Sequence, residues 1–326
     1  MRAVLCTSWG EPSGLTVGEV PKPEPGTGQV RLRVHAAGVN FADTLLIAGK
    51  YQDKPELPFV PGMEAAGVVD AVGPEVSHPK PGTRVLALTE RGAFADFALA
   101  RAMDCFAIPD TMPSDIAAGF PVTYGSAHGG LDWRAHLRPG ETLLIHGAAG
   151  GVGLAAVEVG KAMGASVIAT AGGPEKLAIA KAHGADHVID YAREDIRARV
   201  KEITGDRGAD VIFDPVGGDA FDASLRCINW DGRIVVVGFA GGRIAQVPAN
   251  ILLVKNIAVI GLYWGAYRRR EPERMARSMA RLLDWYAEGR LKPHVSHRLG
   301  LAEAGPALDL LKQRKSTGKV ILTPAS

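Results

Sequence analysis

The sequence has few cysteines, almost no net charge and no long apolar run, and each shortage excludes a class of protein. Its three cysteines, Cys6, Cys105 and Cys227, are too few and too widely spaced for a disulfide framework or a CxxC metal pair. The 37 Lys and Arg residues against 35 Asp and Glu leave a net charge of +2, which does not indicate a nucleic-acid partner. No stretch is apolar over the length that spans a bilayer, so we expect no membrane partner.

The first residues, MRAVLCTSWGEPSG, predict a strand and a turn, without the apolar core and cleavage site of a secretory signal. We therefore expect a cytoplasmic protein. A chain of 326 residues with 47% hydrophobic and 22% charged residues is typical of a globular protein with two domains.

The two halves of the chain differ in their hydrophobic pattern. Up to about residue 115, short β-type runs alternate with Pro/Gly turns, a pattern typical of an irregular, mainly antiparallel β domain. From about residue 118, nearly continuous apolar runs alternate with helix-length segments, which predicts an α/β domain with a doubly wound parallel sheet. Its six candidate strands are residues 142–146, 166–171, 187–190, 209–214, 233–238 and 256–264.

The C-terminal part predicts two helices, at 272–288 and about 301–314, followed by a short strand in GKVILTP. We expect this last strand to return to the first domain, which would make that domain discontinuous.

A glycine-rich turn follows the first strand of the parallel sheet. Ala148, Gly150 and Gly153 occupy the three positions of a G-x-G-x-x-G fingerprint, with alanine in place of the first glycine. Such a turn also occurs for packing alone, but its place between a strand and a helix favours a dinucleotide site. The residues predicted to line the phosphate site are Ala149, Gly150, Gly151, Val152 and Gly153.

The second strand lacks the acid that usually binds the ribose 2′-hydroxyl of NAD. It ends at Ala171, and Gly172 and Gly173 follow. Lys176 supplies a positive charge for a 2′-phosphate, and Tyr191 could donate a further hydrogen bond. The alternative is that Lys176 is an ordinary surface lysine.

These segments carry a family resemblance. GVNFADTLLIAGKY (38–51), PFVPGMEAAGVV (58–69), HGAAGGVG, DPVGG (214–218) and TGKVIL (317–322) together resemble the zinc-free quinone oxidoreductases of the medium-chain dehydrogenase/reductase superfamily. The resemblance implies a GroES-like catalytic domain at 1–120 and 265–326, and a Rossmann domain at 121–264 that binds NADPH.

The resemblance also implies which residues contact the cofactor. Asn40, and Thr123 in PVTYGSAH, would lie beside the nicotinamide, with Lys319 nearby. Two loops, VGFAG and GLYW, would contact the ribose and the carboxamide; the residues concerned are Gly238, Phe239, Ala240, Leu262, Tyr263 and Trp264.

Zinc is not expected. Zinc-dependent relatives carry Cys where this chain has Asn40, and Gly-His-Glu where it has Gly62, Met63 and Glu64. Asn and Met are poor substitutes, since catalytic zinc binds thiolate, imidazole or carboxylate.

Three functional hypotheses remain open: a quinone reductase, a reductase of activated C=C bonds in enals, enones or enoyl thioesters, and a non-enzymatic nucleotide-binding protein. Asp43 is expected to fix its loop by hydrogen bonds, and Tyr51 to face the acceptor, as a hydrogen-bond donor or only as a lid. Quinone reductases of this family often have tyrosine at the position of Leu45, whereas enoyl reductases place a proton-donating tyrosine at the position of Tyr51.

The strand at 256–264 would be the last of the parallel sheet. An apolar edge strand is a liability for a monomer, and pairing with its copy would remove the edge. We therefore expect a homodimer, the alternative being an edge covered by a loop.

Overall fold

The computed structural model of the chain describes residues 1–324, which form two compact units. The first unit comprises Met1–Val122 with the described residues from Pro293 onward, and the second is Thr123–Lys292. The first unit is thus discontinuous, but the chain returns to it at residue 293 instead of the predicted 265. Residues 325–326 of the predicted catalytic domain lie outside the described residues.

The strands are β1 (Arg2–Leu5), β2 (Thr16–Glu19), β3 (Gln29–Val39), β4 (Glu64–Val72), β5 (Arg84–Leu88), β6 (Phe97–Arg101), β7 (Cys105–Ala107), β8 (Thr142–Ile145), β9 (Ser166–Ala171), β10 (His187–Asp190), β11 (Ala209–Asp214), β12 (Ile228–Val236), β13 (Ala258–Gly261), β14 (Val295–Gly300) and β15 (Lys319–Thr323). The α-helices are α1 (Phe41–Ile47), α2 (Ser114–Ala118), α3 (Pro121–His128), α4 (Gly151–Ala162), α5 (Pro174–Ala182), α6 (Ile196–Thr204), α7 (Gly218–Cys227), α8 (Ala249–Lys255), α9 (Tyr267–Arg270), α10 (Pro272–Ala287) and α11 (Ala304–Lys312). A π-helical turn at Gly129–Arg134 follows α3, and short 3₁₀ turns lie at Pro12–Gly14, Ala102–Asp104, Trp264–Ala266 and Leu301–Glu303.

The first unit is built on a mainly antiparallel sheet of order β14-β15-β3-β4-β5-β7, with β6 also paired to β3. In β3, the buried Val30, Leu32 and Val34 alternate with the charged Arg31 and Arg33, as a strand with one buried face requires. Beyond Val34 this alternation stops, and the last four residues of β3 are all buried. The polar groups that follow β3 are therefore carried into the interior of the unit.

The C-terminal strand β15 is inserted beside β3, so the predicted return of the chain is confirmed. The two strands are antiparallel, and Val320 lies opposite Val39. This register places Lys319 next to Asn40, although 279 positions separate them in sequence.

The second unit contains the predicted six-stranded parallel sheet, in the order β10-β9-β8-β11-β12-β13. Five strands each contribute a fully buried residue to one core, namely Leu144, Ile168, Ile189, Ile212 and Ile234. Such a core explains why these strands read as continuous apolar runs. Because all strands are parallel, the loops at their carboxyl ends meet at one edge of the sheet.

The edge strand is shorter than predicted, spanning Ala258–Gly261 instead of 256–264. The preceding helix α8 runs to Lys255 and is capped by Asn256 in the left-handed conformation, with φ of 51°. After the strand, Trp264 begins a 3₁₀ turn. The predicted strand NIAVIGLYW therefore contains a helix cap, a short strand and the first residue of a 3₁₀ turn.

The domain boundary differs because α10 packs within the second unit. Ser278 Oγ lies 2.9 Å from His128 Nδ1, and the rings of Trp133 and Tyr267 are 4.7 Å apart. Met275 and Met279 are also fully buried. In the part of the chain that the structure describes, no helix is both long and apolar enough to cross a membrane.

Candidate active site

Asn40 stands at the junction between β3 and α1. Its backbone N–H donates to Asp43 Oδ2 at 2.9 Å, and the Thr44 hydroxyl donates to the carbonyl of Phe41 at 2.6 Å. Asp43 has no exposed surface, and Thr44 is 7% exposed. These two side chains form hydrogen bonds to backbone groups of a buried turn. Asp43 therefore holds its loop by a hydrogen bond, as expected.

The Asn40 side chain is held on both sides. Its Oδ1 accepts a hydrogen bond from Lys319 Nζ at 2.9 Å, and its Nδ2 donates to Glu64 Oε1 at 2.8 Å. Because an ammonium can only donate and a carboxylate accepts, the orientation of the amide is determined. Asn40 is itself 7% exposed.

Lys319 and Glu64 form a buried ion pair. Lys319 Nζ lies 2.7 Å from Glu64 Oε1 and also donates to the carbonyl of Val39 at 2.9 Å, so its three donors all have acceptors. The other carboxylate oxygen, Glu64 Oε2, accepts from the Val122 N–H at 2.9 Å. Glu64 is fully buried and Lys319 is 6% exposed, so each charge depends on this network for solvation.

Gly38 makes the close approach of Glu64 possible. A Cβ atom on Gly38 would lie 2.4 Å from Glu64 Oε1 and 2.5 Å from the carbonyl oxygen of Ala118. No side chain fits there, so the glycine of the GVN segment is explained by packing around the carboxylate.

Asp43 experiences a different environment from Glu64. Burial raises the pKa of its carboxyl to about 7; the Asn40 N–H and the Lys319 charge lower it, while the Glu64 charge adds to the rise. The turn therefore contains a carboxyl group that titrates near neutral pH.

The positions where zinc-dependent relatives place ligands hold Asn40 and Met63 in this chain. Met63 packs against the apolar cluster of the first unit. Within residues 1–324, no three His, Cys, Asp or Glu side chains are grouped closely enough to hold a metal ion. Cys6 and Cys227 are buried thiols, and burial raises the pKa of Cys227 to about 12.

In the second unit, the glycine turn after β8 has the geometry of a phosphate-binding loop. Gly147 has φ of 59°, and a Cβ on Gly153 would lie 2.2 Å from the Gly147 carbonyl oxygen. Gly150 precedes α4 in extended conformation, so the backbone of Gly151 and Val152 begins the helix. Gly153 thus lets α4 pack closely against the turn, and the N-terminus of the helix offers its first N–H groups, as a bound pyrophosphate requires.

The turn after β9 carries the predicted 2′-phosphate residues. Gly173 has φ of 87°, and a Cβ on Gly172 would lie 2.9 Å from the Tyr191 hydroxyl. Tyr191 is 45% exposed, and Lys176 is half-buried in the first turn of α5. The structure thus brings the Tyr191 hydroxyl onto this turn, and its hydrogen bond to a 2′-phosphate stays a prediction.

A carboxylate that the sequence reasoning missed also reaches this turn. Asp190, at the end of β10 and 7% exposed, accepts hydrogen bonds from the backbone N–H of Gly173 at 3.2 Å and of Ala192 at 3.1 Å. Arg193 Nε lies 3.8 Å from its second oxygen. The signal in the sequence was an Asp directly after a buried strand.

The VGFAG loop follows β12. Ala240 N donates to the Pro215 carbonyl at 3.1 Å, and Gly241 N to the Val216 carbonyl at 2.8 Å, so the loop is tied to the segment after β11. Phe239 is 39% exposed, and Gly238 packs against Pro215.

The predicted residues after β13 have different environments. Leu262 N donates to the Val236 carbonyl at 2.9 Å, and Tyr263 is 47% exposed. Trp264 is buried, and a Cβ on Gly125 of α3 would lie 2.2 Å from its ring. Trp264 therefore contributes to packing against α3, whatever its contact with a cofactor.

Thr123 is buried in the second unit, and Tyr51 packs in the first unit. Thr123 is 4% exposed on α3, where its neighbour Tyr124 donates to Glu158 Oε2 at 2.7 Å. Tyr51 is half-buried and packs against the apolar cluster that includes Val39.

A buried polar network beneath the glycine turn was also missed. His146 Nδ1 lies 3.1 Å from Thr170 Oγ1, and its Nε2 lies 2.8 Å from Ser224 Oγ. Burial lowers the pKa of His146, and the Asp214 charge opposes this shift. The sequence placed His146 only at the end of a strand, because its partners come from distant segments.

Comparison with known proteins identifies the class. Residues 26–110 match the alcohol dehydrogenase GroES-like domain, and residues 151–283 match the zinc-binding dehydrogenase family. The chain is 45% identical over 325 residues to quinone oxidoreductase-like protein 2 homolog of Nematostella vectensis, covering 98% of this chain and 88% of that protein. It is 35% identical to a quinone oxidoreductase of Pseudomonas aeruginosa, with 99% of each chain covered.

A solved structure gives the same result. The Escherichia coli quinone oxidoreductase complexed with NADPH has a TM-score of 0.93 and 31% identity, covering 99% of this chain and 100% of that chain. The two units are therefore a GroES-like domain and a Rossmann domain of an oxidoreductase fold. The chain belongs to the quinone oxidoreductase family of the medium-chain dehydrogenase/reductase superfamily.

Proposed function

We propose that the protein transfers hydride from NADPH to a quinone without a metal ion. The observation that carries the proposal is the glycine turn after β8, where α4 begins directly after Gly150. The fixed amide of Asn40 is a separate observation that supports it. The Escherichia coli relative, solved with NADPH, and the quinone oxidoreductase names of the relatives support it.

The residues present fit a dinucleotide phosphate. The backbone of Ala149 to Gly153 would hold the pyrophosphate, because α4 begins at Gly151 and the N–H groups of its first turn attract an anion. Lys176 and Tyr191 would bind the 2′-phosphate. Asp190 makes this site less positive than the sequence suggested, although its carboxylate is already bound by two backbone N–H groups.

NADPH, when bound, supplies the hydride; the chain supplies orientation. We propose that Asn40 and Thr123 orient the nicotinamide, and that the loops at 237–241 and 261–264 hold its ribose and carboxamide. Lys319 acts through Asn40, since its ammonium fixes Oδ1 of that side chain. Positioning is the main task, because a quinone accepts hydride without a Lewis acid and delocalises the arriving charge onto oxygen.

Tyr51 is proposed to donate a hydrogen bond to the developing oxyanion. Its position at the rim of the apolar cluster is also compatible with a lid, and in that case water would supply the proton.

The second candidate is a reductase of activated C=C bonds. It is favoured by Leu45, which occupies a position where quinone reductases of the family often have tyrosine, and by Tyr51 at the proton-donor position of enoyl reductases. A non-enzymatic nucleotide-binding role is the third, and the ordered Asn40 network gives it little support.

Steady-state assays distinguish the three. We expect NADPH oxidation with 1,4-benzoquinone and 9,10-phenanthrenequinone, unaffected by a zinc chelator, at higher kcat/KM than with a 2-alkenal or crotonyl-CoA. A reversed order of kcat/KM would favour the second candidate. No turnover with any acceptor, with NADPH still bound, would favour the third.

We further propose a homodimer formed through the edge strand β13. Leu253 and Val254 on the adjoining helix α8 are 78% and 68% exposed, which gives that edge an apolar surrounding. A concentration-independent monomer in sedimentation would contradict the dimer. The cytoplasmic location stays a prediction.

A further inference from the structure

A separate cavity of about 510 Å³ lies within the second unit. The lining comes from α3, the π-helical turn after it and α10, and none of its residues belongs to the predicted cofactor site. The residues on which the inference rests are His128, Trp133, Arg277, Ser278, Arg281 and Trp285. The cavity is open to solvent on one side, and its volume is large enough to accept a small organic molecule.

His128 is the buried polar group of this cavity. It is 8% exposed, and its Nδ1 lies 2.9 Å from Ser278 Oγ. Among residues 1–324, no side chain or backbone group bonds its other nitrogen, Nε2. This nitrogen keeps access to solvent at the cavity wall, so solvent or a ligand can bond it.

The neutral ring is favoured at this position. Burial lowers the pKa of His128, and the Arg281 charge lowers it further, while the Asp132 charge opposes both. When the Ser278 hydroxyl donates to Nδ1, the ring carries its proton on Nε2 and can donate one hydrogen bond at the cavity wall.

Arginines on one face of α10 line the rim of the cavity, and one of them is not paired with a carboxylate among the described residues. Arg274, Arg277 and Arg281 line the cavity at helical spacing, against a single acid, Asp132. Arg274 pairs with Glu271 at 3.0 Å, and Arg277 with Glu273 at 3.7 Å. Arg281 has no carboxylate partner within the described part of the chain, and its guanidinium lies 5.9 Å from the Trp285 ring.

The remaining walls are apolar. Trp133 and Trp285 present their rings around His128, with centroids 6.3 and 5.7 Å away, and Leu137, Pro139 and Met163 complete the lining. The cavity therefore combines apolar walls with the guanidinium of Arg281 and the ring nitrogen of His128, an arrangement that suits an amphipathic anion.

We propose that this cavity binds a small organic carboxylate with an aromatic or aliphatic body. The carboxylate pairs with Arg281 and Arg277 and accepts the hydrogen bond of His128 Nε2, while the body lies against Trp133 and Trp285. The proposed carboxylate site shares no residue with the proposed cofactor site, so carboxylate binding can be tested independently of hydride transfer.

Calorimetric titration of the full chain with 4-phenylbutyrate tests the proposal. We expect one site per chain, and binding weakened by roughly tenfold or more in Arg277→Gln/Arg281→Gln, because each charge-assisted contact contributes strongly. Arg226→Gln, which removes an exposed arginine of α7, should bind like the unmodified chain. His128→Phe should also weaken binding, with an unchanged far-ultraviolet circular dichroism spectrum showing that the chain is folded.

Two comparisons make the test decisive. The neutral amide, 4-phenylbutanamide, should bind at least about tenfold more weakly, and saturating NADPH should leave 4-phenylbutyrate binding unchanged. Equal binding of the amide, competition by NADPH, or no binding of 4-phenylbutyrate at millimolar concentration would each overturn the proposal.

Discussion

Replacing Lys319 with methionine tests the central feature of the candidate site. Methionine preserves most of the length of the side chain but removes its three hydrogen bonds to Val39, Asn40 and Glu64. Glu64, with no exposed surface, would then hold an unpaired charge. Because breaking one side of a buried ion pair is costly, we expect Lys319→Met to lower the free energy of unfolding by about 3–5 kcal/mol.

A matched variant shows how much of the loss of stability is due to the burial of the ion pair and how much to the loss of any lysine. Lys312 pairs with Glu11 at the surface, with 37% and 71% of the two side chains exposed. Lys312→Met should therefore change the free energy of unfolding by less than about 1 kcal/mol. Urea unfolding of both variants, followed by circular dichroism, gives the two values from the midpoint and slope.

The double variant identifies the cause. Glu64→Gln removes the buried charge, so Lys319→Met should cost less in the Glu64→Gln background than in the unmodified chain. Lys319→Met should also lower kcat for NADPH oxidation, since Asn40 Oδ1 loses its donor. If Lys319→Met unfolds within about 1 kcal/mol of the Lys312→Met control, the ion pair does not have the role assigned to it.

Three further variants test individual residues. Lys176→Glu should raise KM for NADPH roughly tenfold or more, because a charge-assisted contact contributes about 1.5–3 kcal/mol, and leave NADH use nearly unchanged; Lys80→Glu is the control, and an equal loss with both cofactors would mean a structural role. Tyr51→Phe should lower kcat roughly 10- to 1,000-fold with little change in NADPH affinity; full kcat on both a quinone and an enone would make Tyr51 a lid. Asp43→Asn should alter the pH dependence of the free energy of unfolding. The pKa of Asp43 is about 7 in the folded state, above the ordinary value of 3.8. The proton on Asp43 therefore stabilises the fold fully below about pH 4, and this contribution is lost as the pH rises through 7. Unfolding at pH 5 and pH 8 should therefore show Asp43→Asn gaining stability relative to the unmodified chain at the higher pH; parallel curves would contradict the shifted pKa.

The parallel sheet could be predicted well because its signals are local. Each strand from 142 to 214 is a short apolar run, and β8, β9 and β11 are buried along almost their whole length, whereas the outer strand β10 begins with an exposed His187. The edge strand was overestimated for a related reason. Apolar residues in a short strand, in the loop after it and in a 3₁₀ turn look alike in sequence, and only Ala258–Gly261 of the predicted run is a strand.

The contacts of the site could not be predicted, because they join distant segments. Lys319 and Glu64 are 255 positions apart, and only the pairing of β15 with β3 brings them together. Asp190 was overlooked for a similar reason. An acid that binds the ribose of NAD is expected at the end of the second strand of the parallel sheet, whereas the carboxylate that reaches Gly173 comes from the third strand, β10.

The network around Asn40 also bears on how this chain could work where its zinc-dependent relatives use a metal. A metal site needs free thiolate, imidazole or carboxylate donors, but here Glu64 is fully engaged by Lys319, Asn40 and the Val122 N–H, and the neighbouring positions hold an amide and a thioether. Lys319 therefore supplies a fixed positive charge to Glu64, and Glu64 in turn orients Asn40. A rigid amide of this kind can orient a nicotinamide but cannot polarise an unactivated carbonyl as a Lewis acid does. On this reasoning the acceptor must already be electrophilic, which is why quinones and conjugated alkenes, and not simple ketones, are the substrates proposed for this chain.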